Sequence, residues 1–427
     1  MKKKEYKYKL NDSLAFKAKL IEYVKYFSCF CVLDHNSTNG PFDYIVAFKK
    51  KKELRYNKNP FELLREFTQK NKQEWMFGYL SYDLKNDIEL LSSDNVDFHQ
   101  FPKLHFFIPE LIFKIKGDIL YVLSDLEYSK SDVAKIVDII HTVIIKKSTT
   151  QSIKVKSRVS KDEYIKTINS IKDHLQQGDV YEMNYCQEFY SENTKIDPFS
   201  LFTQLNSLAK APFSAFYRLN DNFCLCSSPE RFLKKYGDKI ISQPIKGTIQ
   251  RDSDLGLDTI NKEILLNSEK DFSENIMIVD LVRNDLSRFA RKSTVHVEEL
   301  MGLYGFRHVY HLISTISCRI DNKYDLIDAL QMSFPMGSMT GAPKIRAMEL
   351  IEKYEKTLRG IYSGSIGYID PDQNFDFNVV IRSILYNQSS NYLSFMVGGA
   401  ITIESDPEME YNECLMKAKS MFKVLGL

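Results

Sequence analysis

Short apolar runs separated by turn-forming residues recur along this chain, and they limit the folds that it can adopt. The runs at 111–115 and 119–123 flank Lys116-Gly-Asp, and apolar runs on both sides of such a turn are typical of an antiparallel hairpin. The segments 60–70 and 131–147 are predicted to be helices. Further strands are predicted at 42–48, 75–82 and 104–108.

The second part of the chain carries sharper signals. Ser160-Lys-Asp-Glu163 is a capping-box pattern, which predicts a helix that continues to about Gln177 and is ended by Gly178. Polar, turn-forming residues at 146–152 precede it and predict a linker. The mixture predicts an α+β fold rich in antiparallel sheet. Further helices are predicted at 273–290, 343–353 and from 406 onward. Strand and hairpin runs are predicted at 184–190, 214–218, 223–226 and 232–243, a hairpin is predicted to join 364–369 to 375–385, and 393–403 is predicted to be a strand.

Charge and composition exclude several classes of protein. The 427 residues carry 58 basic and 56 acidic side chains, a net charge of +2, so no general attraction to nucleic acid or to an anionic membrane is expected. The sequence has no uncharged apolar stretch of membrane-spanning length, and the basic N-terminus lacks the apolar run of a signal peptide. The seven cysteines lack a zinc-binding spacing, so reduced, mostly buried thiols in a cytoplasmic protein are expected.

Lys246 lies in Gln-Pro-Ile-Lys-Gly-Thr, directly after the strand-like run 239–242. The glycine at 247 lets the backbone turn away while the lysine side chain projects into a cavity. Burial lowers the pKa of a lysine, and a partly neutral amine is a nucleophile. The pattern makes Lys246 a candidate nucleophile, with a surface lysine near a turn as the alternative.

Two predicted helices carry acidic residues three positions apart. Asp271 and Glu274 form one pair, and Glu410 and Glu413 form the other. This spacing puts both members of a pair on one face of a helix. If the two faces converge, a divalent cation relieves the repulsion, and oxygen-only ligands favour Mg²⁺, which also binds an anionic substrate. Two separate, solvated faces are the alternative.

Glu230 and Arg382 are candidates for acid chemistry and for substrate binding. Glu230 lies where two strand-like runs meet, in Ser-Ser-Pro-Glu-Arg-Phe, and an apolar pocket there would give it the raised pKa of a general acid. An exposed ion pair with Arg231 is the alternative. Arg382 follows the apolar run 378–381, where either a substrate carboxylate or a structural salt bridge would satisfy its guanidinium.

Glycines and histidines give weaker signals. Gly398-Gly399 allow backbone amides to approach an anion closely, although a bulge also explains such a pair. The loop 337–343, Gly-Ser-Met-Thr-Gly-Ala-Pro, enters a predicted helix and suits an anion, but it lacks the Gly-Lys-Ser/Thr ending of a P-loop. His308 and His311 have a spacing that hints at a metal, and a core or hydrogen-bonding role is the alternative.

The order of these pieces resembles the chorismate-utilising enzymes: anthranilate synthase large subunits, aminodeoxychorismate synthase component I, and isochorismate and salicylate synthases. The motifs, in order, are Ser-Ser-Pro-Glu-Arg-Phe, Pro-Ile-Lys-Gly-Thr, Ser-Glu-Asn-Ile-Met-Ile-Val-Asp-Leu-Val-Arg-Asn-Asp-Leu, His-Leu-Ile-Ser, Phe-Pro-Met-Gly-Ser-Met-Thr-Gly-Ala-Pro-Lys, Tyr-Ser-Gly-Ser-Ile-Gly-Tyr, Val-Ile-Arg-Ser and Gly-Gly-Ala-Ile. The resemblance is strong over 155–425 and weaker over 14–135.

The resemblance implies large antiparallel β-sheets sandwiched with helices outside, with the N-terminal and C-terminal parts interleaved. It implies an anthranilate-synthase-like region at 1–145, a linker at 146–159 and a chorismate-binding catalytic domain at 160–427. Pro-Ile-Lys-Gly-Thr resembles the aminodeoxychorismate synthases, since anthranilate synthases have alanine where Lys246 stands.

That likeness implies amination of chorismate to 4-amino-4-deoxychorismate, in p-aminobenzoate and folate biosynthesis. Lys246 would form a covalent adduct, and Glu230 would protonate the departing hydroxyl. Mg²⁺ would be held by Glu274 and Glu413, with the other two acidic residues, Asp271 and Glu410, near it or bound through water. The residues implied to contact or line the substrate are His311, Thr340, Gly341, Tyr368, Arg382, Gly398 and Gly399.

The resemblance also bears on partners and on rival functions. No cysteine lies in a Gly-x-Cys-x-Gly nucleophile turn, so a separate glutamine amidotransferase subunit is implied as the source of ammonia. The chain lacks the Leu-Leu-Glu-Ser pattern of feedback-inhibited anthranilate synthases, so regulation by tryptophan is not expected. Anthranilate or isochorismate synthase activity is the alternative function. A non-catalytic scaffold is disfavoured because Lys246, Glu274 and Glu413 are all present.

Overall fold

The structure is a computed structural model that describes residues 3–36, 42–145, 153–306 and 309–427. These residues form twenty strands and eleven α-helices. The strands are β1 (Lys4–Lys9), β2 (Cys29–Asp34), β3 (Tyr44–Arg55), β4 (Met76–Leu80), β5 (Leu104–Lys116), β6 (Ile119–Ser124), β7 (Lys156–Ser157), β8 (Glu182–Ser191), β9 (Phe213–Leu219), β10 (Asn222–Ser228), β11 (Arg231–Tyr236), β12 (Lys239–Gln243), β13 (Ile245–Gln250), β14 (His296–Gly305), β15 (Val309–Arg319), β16 (Gly341–Ala342), β17 (Ser365–Ile369), β18 (Phe375–Asn378), β19 (Ser383–Asn387) and β20 (Tyr392–Ile401). The helices are α1 (Ser13–Val24), α2 (Pro60–Lys70), α3 (Lys85–Ile88), α4 (Lys130–Thr142), α5 (Lys161–Gln176), α6 (Pro198–Ala209), α7 (Leu255–Leu266), α8 (Glu269–Ser287), α9 (Leu326–Ser333), α10 (Lys344–Tyr354) and α11 (Pro407–Val424).

The strands form one antiparallel network with two arms that diverge from β5. The first half of β5 pairs with β4, and its second half pairs with β6. One arm runs through β3, β2, β9, β10, β19, β20 and β8. The other runs through β4, β17, β18, β11, β12 and β15, which also pairs with β13 and β14. Strands from the first third of the chain thus pair with later strands in both arms, which confirms the predicted interleaving.

Strand β2 shows how the layers are packed. Cys29 and Cys31 belong to an apolar cluster shared by strands of both arms, whereas Phe30 and Val32 belong to a second cluster that includes residues of α1, α5, α6 and α11. Successive side chains of a strand point to opposite faces, so one face of β2 meets the other arm and one face meets helices. The predicted fold of packed antiparallel sheets with helices outside is confirmed. All seven cysteines are buried and unpaired.

Many predicted elements are present, with differences that have local causes. Ser160 caps α5 through the predicted capping box: its backbone N–H donates to the Glu163 carboxylate at 2.9 Å. The runs at 104–108 and 111–115 are one strand, β5. The run at 232–243, predicted among the strand and hairpin runs, is a hairpin of β11 and β12, and Gly237 turns the chain between them at a φ of +59°. Helix α7 was not predicted, and only two of its residues are buried, so its apolar spacing gives little helical signal.

Two of the places where the chain crosses from one arm to the other carry predicted site residues. Glu230 lies between β10 and β11, and Arg382 lies between β18 and β19. The backbone N–H of Val379 donates to the Glu230 carbonyl at 3.0 Å, and that of Ser227 donates to the Arg382 carbonyl at 3.2 Å. The two crossovers are therefore hydrogen-bonded together, which fixes both site residues where the arms meet.

Two regional predictions concern the chain as a whole. Residues 146–152 of the predicted linker lie outside the described residues, so the division into regions at 1–145 and 160–427 stays a prediction. Over the described ranges, every helix is too short or too polar to cross a lipid bilayer.

Candidate active site

Lys246 is buried on β13, and two carboxylates hold its ammonium. Its Nζ donates to Glu182 Oε1 at 2.5 Å and lies 3.8 Å from Glu274 Oε2. Asn275, the next residue on α8, donates from Nδ2 to the Lys246 carbonyl at 3.1 Å. Gly247 has a φ of +92°, a backbone angle that glycine adopts without strain, as the sequence predicted. The lysine is thus fixed at both its backbone and its amine.

The charge state of Lys246 differs from the sequence prediction. Burial by itself lowers the pKa of this amine, but the carboxylates of Glu182 and Glu274 outweigh burial and raise the pKa above its ordinary value. The expectation of a partly neutral lysine is therefore wrong for this state of the protein. The sequence pattern around Lys246 did not reveal Glu182, which lies 64 positions earlier in the chain.

Glu230 is buried, and its pKa is raised. Its exposed fraction is 4%, and burial raises its pKa to about 7, although Ser338, Lys246 and Arg382 act in the opposite direction. The Ser338 hydroxyl donates to Glu230 Oε1 at 2.6 Å. The alternative of an exposed pair with Arg231 is wrong, because Arg231 pairs with Asp376 instead. A carboxyl group that titrates near neutrality can give up a proton at the pH of a cell.

Three of the four predicted acidic residues converge on a lysine that the sequence did not single out. The Nζ of Lys270 lies 2.9 Å from Glu410 Oε1, 3.7 Å from Glu413 Oε2 and 3.8 Å from Glu274 Oε1. Glu274 and Lys270 come from α8, whereas Glu410 and Glu413 come from α11. The two acidic faces therefore meet, as the sequence analysis required for a cation site.

The same carboxylates differ in their surroundings. Burial raises the pKa of Glu274 to about 7, partly opposed by Lys246 and Lys270. Lys417, whose Nζ lies 2.7 Å from Glu413 Oε1, is the main cause that lowers the pKa of Glu413 to about 2, despite burial. Glu410 also accepts a hydrogen bond from the Ser405 hydroxyl at 2.8 Å.

The predicted magnesium ligands fit a cation only in part. Asp271 is not among the carboxylates around Lys270; its Cβ lies beside Gly247. In the ranges that the structure describes, no three His, Cys, Asp or Glu side chains are grouped closely enough to hold a metal ion as they stand. Glu274 Oε1 is nonetheless buried without a hydrogen-bond partner among the described residues. Oxygen donors of this kind suit Mg²⁺, so Glu274, Glu410 and Glu413 are the residues that fit it.

Gly398 and Gly399 lie within β20, next to this acidic group. The carbonyl of Gly398 accepts a hydrogen bond from Lys417 Nζ at 2.8 Å. A Cβ at Gly399 would lie 3.2 Å from Glu410 Oε2, and one at Gly398 would lie 2.1 Å from the Tyr185 carbonyl oxygen. The absence of side chains here keeps the space beside the carboxylates open and lets β20 approach β8.

Arg382 faces the same space, whereas Tyr368 does not. Burial lowers the pKa of Arg382, and the groups that oppose this effect are Tyr362, Glu413 and Glu230. Its guanidinium forms no ion pair with any carboxylate of the described residues. Tyr368 instead packs against the rings of Phe42, Trp75 and Phe77 and lines a separate cavity with His35 and Asp376. The tyrosine beside Arg382 is Tyr362, six positions earlier.

His311 is buried on β15 and pairs with Thr248, two positions after Lys246. Its Nδ1 lies 2.8 Å from Thr248 Oγ1. Burial lowers its pKa to about 3, with Arg382 and Lys417 acting in the same direction, so the imidazole is neutral at physiological pH. His308 lies outside the described residues, so the spacing His-x-x-His has no structural outcome.

The loop with Thr340 and Gly341 is fixed beneath Glu182. Gly341 pairs with Met183 through β16, and a Cβ there would lie 2.1 Å from the Glu182 carbonyl oxygen. The Thr340 hydroxyl, predicted to line the substrate, donates to backbone carbonyls of its own loop instead. The buried guanidinium of Arg359 donates to the carbonyls of Met339 at 2.6 Å and Asn184 at 3.1 Å. Arg359 therefore ties this loop to β8.

Comparison with known protein families agrees with this geometry. A family described as chorismate binding enzyme matches residues 28–423. The chain belongs to this family. It is 30% identical to aminodeoxychorismate synthase component 1 of Bacillus subtilis, over 82% of this chain and 76% of that protein. It is 42% identical to a putative aminodeoxychorismate synthase of Schizosaccharomyces pombe, over 62% of this chain but only 37% of that protein.

Solved structures show the same fold. Anthranilate synthase component I of Streptococcus pneumoniae superposes with a TM-score of 0.78 at 24% identity, covering 90% of this chain and 93% of that one. The menaquinone-specific isochorismate synthase MenF of Escherichia coli superposes with a TM-score of 0.75 at 18% identity, over 99% of this chain and 95% of that one. The architecture of this chain is therefore that of the chorismate-binding enzymes.

Proposed function

We propose that the chain aminates chorismate to 4-amino-4-deoxychorismate, with ammonia from a separate glutamine amidotransferase subunit, in the route to p-aminobenzoate and folate. The observation that carries the proposal is the buried amine of Lys246, which shares Glu274 with the acidic cation site and influences the charge of Glu230. The names of the Bacillus and Schizosaccharomyces relatives support the same activity.

In the proposed reaction, the Lys246 amine attacks ring carbon C2 of chorismate. The two ring double bonds, C1=C2 and C5=C6, shift to C1=C6 and C4=C5 as the bond from C4 to its hydroxyl breaks, and Glu230 supplies the proton with which that hydroxyl leaves as water. Ammonia then attacks C4, both double bonds return to their original positions, and the bond from C2 to the lysine breaks. A covalent adduct divides one difficult displacement into two easier ones.

Lys246 must lose a proton before it attacks, and Glu182 is the carboxylate in contact with it. Glu230 is suited to the opposite task, because its pKa of about 7 keeps a proton available. Glu182 would therefore act as the base at the attacking amine, and Glu230 would act as the acid at the leaving hydroxyl.

Charged groups around the pair would hold the two carboxylates of chorismate. The guanidinium of Arg382 lies close to Tyr362 and forms no ion pair within the described ranges, so it is suited to the enolpyruvyl carboxylate. Mg²⁺ bound to Glu274, Glu410 and Glu413 would neutralise and hold the ring carboxylate. His311, neutral and buried, contributes a polar wall beside Lys246.

The test is product analysis. The purified chain is incubated with chorismate, an ammonium salt and Mg²⁺, and the products are separated and identified by mass spectrometry against authentic standards. We expect 4-amino-4-deoxychorismate from the wild type, and its formation should be abolished or strongly impaired in Lys246→Ala. Anthranilate, or an isomer of chorismate with a moved hydroxyl, as the main product would replace the proposal with anthranilate or isochorismate synthase activity.

The implied partner is tested by changing the nitrogen source. With glutamine in place of the ammonium salt, we expect product only when a glutamine amidotransferase subunit is added. Product from glutamine and the chain alone would contradict the two-subunit arrangement while leaving the amination itself in place.

A further inference from the structure

Lys270 is placed where a divalent cation would be expected. Its Nζ lies 2.9 Å from Glu410 Oε1, 3.7 Å from Glu413 Oε2 and 3.8 Å from Glu274 Oε1. These are the carboxylates that fit Mg²⁺, and the ammonium is the cation on which the two helices converge. Lys417 also pairs with Glu413, and Lys246 also lies near Glu274, but among the described residues Lys270 is the ammonium that lies within 4 Å of all three carboxylates and offsets part of the repulsion among them.

The position of the Lys270 side chain would allow a metal ion to displace its ammonium. Its side chain is 40% exposed, whereas that of Lys246 is 8% exposed. Lys270 lies in the first turn of α8, and within the described residues its side chain pairs with the three carboxylates themselves. It can therefore turn out into solvent without breaking the helix.

A second observation shows that the ammonium satisfies the carboxylates incompletely. Glu274 Oε1 is buried and accepts no hydrogen bond from the part of the chain that the structure describes, since the Lys270 ammonium is 3.8 Å away from it. Buried carboxylate oxygens normally have a partner. The oxygen is aimed toward the space that Lys270 occupies, and a cation of higher charge would satisfy it better.

We infer that Lys270 and a divalent cation occupy the carboxylate group of Glu274, Glu410 and Glu413 in alternation. Metal binding displaces the ammonium into solvent, and loss of metal returns it. The inference rests on the proposed function for the identity of the site, since the ring carboxylate of the substrate would reach the metal only after Lys270 has left. Lys270 is then an internal competitor that stabilises the metal-free protein and weakens metal binding until substrate adds its own negative charge.

The test measures binding of Mg²⁺ alone by isothermal titration calorimetry, on metal-free protein without chorismate. We expect Lys270→Met to bind Mg²⁺ at least tenfold more tightly than the wild type. Lys270→Arg, which keeps the charge, should bind as weakly as the wild type. Lys419→Met is the matched control, since Lys419 is an exposed lysine on α11 and its loss changes the net charge equally. Its affinity should equal that of the wild type.

Thermal unfolding gives an independent readout. In the presence of a chelator, we expect Lys270→Met to unfold at a lower temperature than the wild type, and Mg²⁺ to raise its unfolding temperature by more than it raises that of the wild type. If the methionine variant does not fold, Lys270→Gln takes its place in both measurements. Equal or weaker Mg²⁺ binding by the folded variant would overturn the inference and make Lys270 a helper of the metal.

The activity of the wild type separates this inference from the proposed function. A wild type that aminates chorismate with Mg²⁺, together with a Lys270→Met variant that does not gain affinity, rejects the exchange alone. A wild type that yields no aminated product rejects the proposed function, whereas tighter Mg²⁺ binding by the variant would still support the exchange of cations.

Discussion

Lys246 and Lys270 have similar charged neighbours, but their side chains differ in how firmly they are held. Each ammonium lies among carboxylates, and Glu274 contacts both. Lys246 is 8% exposed and held at 2.5 Å by Glu182, which lies on a strand; Lys270 is 40% exposed and held by side chains of two helices. Both lysines have carboxylates nearby, so their number does not explain the difference. Burial distinguishes the fixed, reactive amine of Lys246 from the replaceable counter-ion, Lys270.

The prediction with the largest effect compares the amination rates of variants at the two lysines. Lys246→Ala should lower the rate of amination by roughly 10³-fold or more, because it removes the proposed nucleophile. Lys270→Met, assayed at saturating Mg²⁺, should lose at most about tenfold, since the metal takes over its role. Initial rates with chorismate and an ammonium salt measure both. Comparable losses in the two variants would erase the distinction between the two lysines.

The next effect concerns the free energy of unfolding. Glu182→Gln leaves the buried ammonium of Lys246 without its closest charge partner, so we expect a loss of about 3 kcal/mol, the low end for breaking a buried pair. Glu410→Gln should cost about 1 kcal/mol or less, because Lys270 can turn to solvent. Urea denaturation of metal-free protein at pH 7 measures both changes. A Glu410→Gln cost as large as that of Glu182→Gln would show that Lys270 is not replaceable.

The smallest expected change is in the pH dependence of the free energy of unfolding. The pKa of Glu230 is raised from 4.5 to about 7 in the folded protein, so the folded state binds a proton more tightly than the unfolded state, and stability falls as pH rises through that window. Between pH 5 and pH 7 this group should remove about 2 kcal/mol of stability.

Glu230→Gln should abolish that share of the decline. Glu274 titrates in the same window but is common to both proteins, so the difference between them isolates Glu230. Urea denaturation at the two pH values, without metal, gives the result. An identical decline in wild type and variant would mean that Glu230 does not hold a proton at neutral pH.

The sequence predicted the site residues that lie in local motifs, but not those whose role depends on contacts between distant parts of the chain. Lys246 and Glu230 were identified from short local patterns, and the spacing of Glu410 and Glu413 predicted a shared helix face. Glu182 and Lys270 were missed because their importance lies in contacts with residues 64 and 140 positions away. No local pattern encodes such a contact.

The errors have the same origin. Tyr362 and Tyr368 lie six positions apart in one motif, and only the structure shows which of them is beside Arg382. The prediction for Lys246 used burial alone, which lowers a lysine pKa, without the opposing carboxylates. In the fold, the interleaving of the arms came from the resemblance, since the pairing of β2 with β9 and of β4 with β17 joins strands far apart in sequence.

That strand pairing has a consequence for anyone who would express the catalytic part alone. A fragment that starts at residue 160 would lack β2 and β4, and would leave the hydrogen-bonding edges of β9 and β17 bare. Bare edges recruit strands from other molecules. We expect such a truncated protein to aggregate. A loss of activity in it would then result from aggregation and would say nothing about the catalytic residues.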